Sequence, residues 1–148
     1  MGNSYISRHI HAVFRTKNNA PFLSPSVQEQ MYPYLGGIAK EHHMKLLKVG
    51  GIEDHVHLLL SVPPDLAVTK AMQILKGGSS KWIHITVPSL LSFSWQEGYG
   101  AFSIGVSQIA PTASYIANQR DHHQNMNFNY EFIAFLKKHG IPYDERYL

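Results

Sequence analysis

The stretch Asp54-His55-Val56-His57-Leu58-Leu59-Leu60 constrains this chain more than any other. Two histidines one residue apart, running into an apolar tail, read as a β-strand over 52–62. Side chains alternate between faces along a strand, so His55 and His57 point the same way, about 7 Å apart at their Cα atoms. Val56, Leu58, Leu60 and Val62 take the opposite face and supply the core side. The imidazoles then fall on the non-core face, where their nitrogens need no internal partner and are free to meet a cation. Taken alone, such a pair is more often two incidental polar residues than a metal site. A strand with one buried face also needs neighbours, and the flanking segments supply them.

Residues 5–17 read as a first strand. Ile6, Ile10, Ala12 and Phe14 make its apolar face, with Ser7, His9 and His11 opposite. It holds a second pair, His9-Ile10-His11, which competes for the metal role. Asn18-Asn19-Ala20-Pro21 breaks it, and Ser24 or Ser26 caps a helix running to about His43, weakened by Pro33, Gly36 and Gly37. Met44 to Val49 is a short strand, joined through a tight Gly50-Gly51 connection to the histidine strand as a hairpin. After Pro63-Pro64 a second helix covers Leu66 to Lys76, with Gly77-Gly78 marking either its end or a passage on to Trp82. Phe93 to Ile104 reads as a final strand or hairpin around Glu97-Gly98. A third helix covers 107–124 and a fourth Phe128 to His139.

The order β-α-β-β-α-β, followed by helices, predicts an α+β fold. It is the ferredoxin-like split βαβ plan, an antiparallel sheet with helices on one face. The 148 residues fit a single domain over 1–148. No apolar run approaches the roughly 18 residues of a membrane span, and the N-terminus lacks the pattern of a secretory signal. The absence of cysteine removes disulfides and thiolate metal sites, and suits an intracellular protein. A net charge of +3 permits a polyanionic partner without identifying one.

In the third helix Tyr115 and Gln119 are four residues apart and share a face, with His122 and His123 one turn further. Such a stack is consistent with a nucleophile beside a metal ligand, and equally with a tyrosine packed on the sheet beside a solvated glutamine.

Several segments carry a resemblance in order: Phe14-Arg15-Thr16-Lys17, Asp54-His55-Val56-His57-Leu58-Leu59, Lys76-Gly77-Gly78-Ser79-Ser80-Lys81, Trp95 through Ser103, Tyr115 through His123, and Lys137-Lys138-His139-Gly140-Ile141. Together they resemble the single-tyrosine transposases of the smallest prokaryotic insertion sequences, within the His-hydrophobic-His endonuclease superfamily. The resemblance covers nearly the whole chain. It implies cleavage and rejoining of single-stranded DNA, with Tyr115 as nucleophile forming a 5′-phosphotyrosine link and releasing a 3′-hydroxyl. It places the metal ligands on His55, His57 and Gln119, with magnesium or manganese as the cation, and makes the third helix the C-terminal catalytic helix. It also implies subterminal DNA hairpins as ligands and a homodimer with active sites shared between chains. A cytoplasmic, nucleoid-associated location follows, with no membrane partner.

A phenol of ordinary pKa near 10 is only about one part in a thousand ionised at neutral pH, so Tyr115 needs help. Arg15, Lys17, Lys76, Lys81 and Arg120 are candidate phosphate contacts, with Lys45 and Lys48 beside them. Trp82, Trp95, Tyr99 and Phe102 are candidate stacking platforms, though at least half should be core. Asp54 reads as a turn cap rather than a partner of the histidines. His11 is free to line a DNA face. Pro111 is tolerated in a helix's first turn but kinks a helix begun at Ser107. Two other readings use the same residues. One is a non-catalytic DNA or RNA hairpin-binding module on this fold, and the other is a hydrolase that activates water on the histidines.

Overall fold

The computed structural model describes residues 2–124 and 126–148. Strand β1 (His9–Arg15) leads into helix α1 (Pro25–Glu41), followed by the hairpin β2 (Lys45–Ile52) and β3 (His55–Ser61). Helix α2 (Val68–Thr86) and strand β4 (Gly100–Ile104) complete the βαββαβ unit. Helices α3 (Ile109–Ala117), α4 (Gln119–His122) and α5 (Phe128–Lys138) follow. The four strands stand in the order β2-β3-β1-β4, every neighbour antiparallel. This is the expected ferredoxin-like sheet.

Alternation along the central strands builds the first layer. Ile10, Ala12 and Phe14 of β1, with Val56, Leu58 and Leu60 of β3, pack against Met31, Leu35 and Ile38 of α1 and Met72 and Leu75 of α2. The Ser24 hydroxyl accepts from Val27 N at 3.3 Å and Pro25 opens α1, an N-terminus matched to its sequence. Pro33 does not interrupt α1, and α2 runs without a break through Gly77-Gly78. A Cβ at Gly78 would lie 2.7 Å from Ile38 Cδ1, so the glycine lets the two helices approach.

Three sequence expectations need correcting. Gly50-Gly51 is not the hairpin connection: both lie inside β2, and the turn falls at Glu53-Asp54. The physical reason is α3, because a Cβ at Gly50 would stand 2.4 Å from the Ile116 carbonyl oxygen. The expected helix over 107–124 is divided at Asn118, whose φ of −105° and ψ of 28° end α3. Pro111 is the third residue of α3, within the first turn where its missing N–H is no loss. Finally, the face carrying the histidines is not left open. Val13 and Phe102 of that face join Phe128 and Leu136 of α5 in a second apolar cluster, and α3 packs on β2 and β3. Helices therefore cover both faces of the sheet.

Candidate metal centre and nucleophile

Strand alternation sends His55 and His57 to the second face, as the spacing requires, and the covering helices bury both completely. A buried imidazole must have its nitrogens satisfied. His55 Nδ1 lies 2.7 Å from Asp54 Oδ1, and its Nε2 lies 3.0 Å from Gln119 Oε1 and 3.4 Å from Glu131 Oε1. His57 Nε2 lies 2.8 Å from Glu131 Oε1, and its Nδ1 lies 2.8 Å from His11 Nε2. The Tyr115 hydroxyl donates to Glu131 Oε2, which also meets His123 Nε2 at 3.1 Å.

Four of the predicted site residues thus come together from three elements. β3 supplies His55 and His57, α3 supplies Tyr115, and α4 supplies Gln119. Arg15, paired in register with His55, stands beside them, its guanidinium 5.3 Å above the Phe128 ring and donating to Asn129 Oδ1 at 3.2 Å. Lys76 and Lys81 belong to α2 on the opposite face. The Lys76 ammonium donates to the carbonyls of Gln96 and Gly98, at 2.8 and 2.7 Å, and so anchors the approach to β4. Arg120 pairs with Glu53 at 2.9 Å, and Lys17 is exposed in the turn after β1. Of the candidate stacking residues, Trp95 and Phe102 are core, Trp82 stacks on Tyr34, and Tyr99 is exposed.

Glu131 was absent from the sequence reading. A signal was present, since Phe128, Phe132, Phe135 and Leu136 form an apolar helical stripe that a carboxylate at 131 interrupts. A buried acid on such a stripe needs partners, and here they are three histidines and a phenol. Two outer residues also differ from expectation. Asp54 turns its carboxylate back onto His55, because the hairpin turn bends the chain at that residue. His11 is buried against His57 rather than lining an open surface.

The charges here are strongly coupled. Burial alone would lower His55, but its bonds to Asp54 and Glu131 outweigh that and push its pKa up to about 9. Burial holds His57 below the ordinary histidine range, and burial with the neighbouring His57 brings His11 down to about 3. Burial would raise Glu131, yet hydrogen bonds from His123, His55 and His57 keep it well below the usual carboxylate range. Burial and the Glu131 carboxylate push the Tyr115 phenol above its ordinary value.

The donor set suits a divalent cation. One ligand atom each from His55, His57 and Glu131 lies within 4.8 Å of the others. Octahedral donors at about 2.1 Å from an ion stand about 3 Å apart, close to the 2.8 and 3.4 Å from Glu131 Oε1 to His57 and His55 Nε2 and the 3.0 Å from His55 Nε2 to Gln119 Oε1. The Gln119 amide nitrogen donates to the Tyr115 carbonyl at 3.4 Å, which leaves the amide oxygen facing His55. Asp54 accepts from His55 Nδ1, so the Nε2 lone pair, once free of its proton, is aimed inward. Two imidazole nitrogens with amide and carboxylate oxygens suit manganese or magnesium.

Comparison with known proteins gives the chain's family and fold relatives. A family model described as IS200-like transposase matches residues 4–119. The ISDra2 transposase TnpA of Deinococcus radiodurans is 25% identical over 126 residues, which span 81% of this chain and 90% of that protein. A crystal structure of a candidate transposase from Deinococcus radiodurans R1 superposes with a TM-score of 0.66 at 25% identity, covering 80% of this chain and 96% of that one. The REP-associated tyrosine transposase bound to a REP hairpin shares the fold, with a TM-score of 0.62 at 12% identity, over 83% of this chain and 73% of that one.

Proposed function

Because this chain belongs to the IS200-like transposase family, we propose that it cleaves and rejoins single-stranded DNA through Tyr115, with a divalent cation held by His55, His57, Gln119 and Glu131. The observation that carries the reading is the meeting of those donors with the phenol through one carboxylate: Glu131 Oε1 faces the imidazoles and Oε2 accepts from Tyr115.

When bound, magnesium or manganese supplies positive charge to the scissile phosphate and to the departing oxygen. The chain's own groups do the rest. Tyr115 gives up its phenolic proton and attacks phosphorus, a phenol oxygen–phosphorus bond forms, and the bond to the 3′ oxygen breaks, that oxygen taking up a proton to become the 3′-hydroxyl. Exchange of one phosphodiester for another is close to energy-neutral, so rejoining needs no nucleotide hydrolysis. Glu131 orients the phenol and also keeps it protonated. Were that carboxylate to hold a cation, less of its negative charge would fall on the phenol, whose ionisation would be easier. Arg15 lies at the edge of this cluster and takes a flanking phosphate, while Lys17 and Arg120 extend the basic surface. Lys81, on α2 across the sheet, is left as a more distant phosphate contact, while Lys76 is held by the Gln96 and Gly98 carbonyls.

The REP-associated relative is described bound to a REP hairpin, and we extend hairpin recognition to this chain. Within one chain the phenol already meets Glu131, an arrangement that a partner's helix could equally supply. The homodimer with shared sites that the family resemblance implies is tested by mixing Tyr115→Phe with His57→Ala protein. Recovered cleavage means a shared site, and none means that each chain acts alone.

The direct test uses end-labelled single strands carrying candidate element ends, with manganese, on a denaturing gel. A covalent protein–DNA adduct is expected from the native chain and is lost in Tyr115→Phe and His55→Ala. Free 5′-phosphate without an adduct means the hydrolase reading, and binding without cleavage means the hairpin-binding module.

A further inference from the structure

The His9-Ile10-His11 pair on β1 has no place in the chemistry above, yet His11 is almost fully buried beside it. It pairs with Leu59 in the strand register, which sets its ring diagonally across from His57, and the two nitrogens meet at 2.8 Å. The ring centroids are 5.0 Å apart, and Phe135 packs edge-on against His11 at 4.9 Å. Neither ring is placed by chance contact.

We propose that His11 is a positioning residue of the cation site: it holds the His57 ring through Nδ1 and changes from donor to acceptor when His57 Nε2 takes a cation. The inference rests on the metal reading above. Its logic is the donor and acceptor inventory of two imidazoles. Without a cation, Glu131 is a carboxylate that only accepts, so His57 Nε2 carries the proton of their 2.8 Å bond. His57 Nδ1 is then bare, and His11 Nε2–H donates to it. A cation on His57 Nε2 requires that nitrogen's lone pair, so the ring's proton must sit on Nδ1. Nδ1–H then donates to His11, whose Nε2 must now be bare and whose own proton must sit on its Nδ1.

The exchange balances. The proton from His57 Nε2 is lost, the His11 Nε2 proton passes to His57 Nδ1, and one proton is taken up at His11 Nδ1. Both rings remain neutral throughout. His11 borders a cavity of about 280 Å³ shared with Gln108, Thr112, Tyr115 and Lys138, which gives its ring access to a proton from solvent. A carboxylate in place of His11 would only accept and would fix one tautomer. An imidazole serves both states of the site, at no cost in buried charge.

The experiment uses the full chain with His11→Phe and His11→Gln. Phenylalanine keeps the ring packing on Phe135 and loses the bond. Glutamine's terminal amide can donate or accept, and so restores it. Manganese affinity is read by calorimetry after thermal denaturation has shown each variant folded. The expected result is affinity about 10- to 100-fold weaker in His11→Phe, largely recovered in His11→Gln. Nitrogen-15 NMR of histidine-labelled protein gives the second readout. Without metal, both His57 and His11 should carry their protons on Nε2, and saturating magnesium should move both to Nδ1. Native affinity in His11→Phe, or His57 carrying its proton on Nδ1 in the metal-free protein, overturns the inference while leaving the metal site standing. Failure of the native chain itself to bind manganese overturns both.

Discussion

The two faces of one sheet do different work in this protein. From β3 alone, Val56, Leu58 and Leu60 enter a dry layer against α1 and α2, while His55 and His57 enter a polar cluster under α3 to α5. Both sets are fully buried. The apolar side is held by area and shape, so its members are exchangeable at a cost set by volume. The polar side is held by reciprocal donors and acceptors, and losing one member leaves the others uncompensated. Stability is concentrated on the first face and chemistry on the second.

The widest separation of the faces comes from pairing one substitution on each. Tyr115→Phe should reduce covalent adduct at least about a thousandfold and shift the urea unfolding midpoint little, because the ring packing on His122 and Phe135 survives and His123 still partners Glu131 Oε2. Leu58→Ala should do the reverse, lowering stability by about 2–5 kcal/mol with manganese affinity of the folded protein unchanged. If Leu58→Ala weakened metal binding as strongly as it weakened the fold, the faces would not be separable.

Acidity sharpens the comparison further. His55 has its pKa raised on folding, from an ordinary 6.5 to about 9, through Asp54 and Glu131 against the pull of burial. A group raised in this way adds stability that is complete below pH 6.5 and is lost as pH climbs through 9. Chelator-treated protein should therefore lose up to about 3 kcal/mol between those limits by urea titration, and His55→Asn should flatten that slope. The smallest effect belongs to neither face. Arg120→Ala removes a partly exposed pair with Glu53 and should change stability by less than about 1 kcal/mol. Its mark, if Arg120 touches DNA, is a shallower salt dependence of binding.

The division also explains what could be read from the chain directly. Helix and strand periodicity conveys apolar layers, so the βαββαβ order, a serine cap of α1 at Ser24 or Ser26, and the facing of His55 with His57 were all legible. The polar face depends on residues far apart in sequence whose meaning appears only when they meet. Glu131 lies 74 positions from His57, and nothing in its own helix names the partners it meets. His11 reads as free to line a DNA face because nothing local shows that its strand face is covered. Gly50 resembled a turn glycine, though its small size serves the approach of Ile116. The resemblance of Tyr115 and Gln119 to a family pattern supplied what periodicity could not.

The claim beneath all of this is that the buried polar face is a cation site and not merely a satisfied network of hydrogen bonds. Manganese-soaked crystals, with diffraction recorded at the manganese absorption edge, test it directly. The account predicts one strong anomalous peak about 2.1 Å from the Nε2 atoms of both His55 and His57, with Glu131 and Gln119 oxygens turned toward it. Density without such a peak at saturating manganese, with His57 Nε2 still bonded to Glu131, would contradict it.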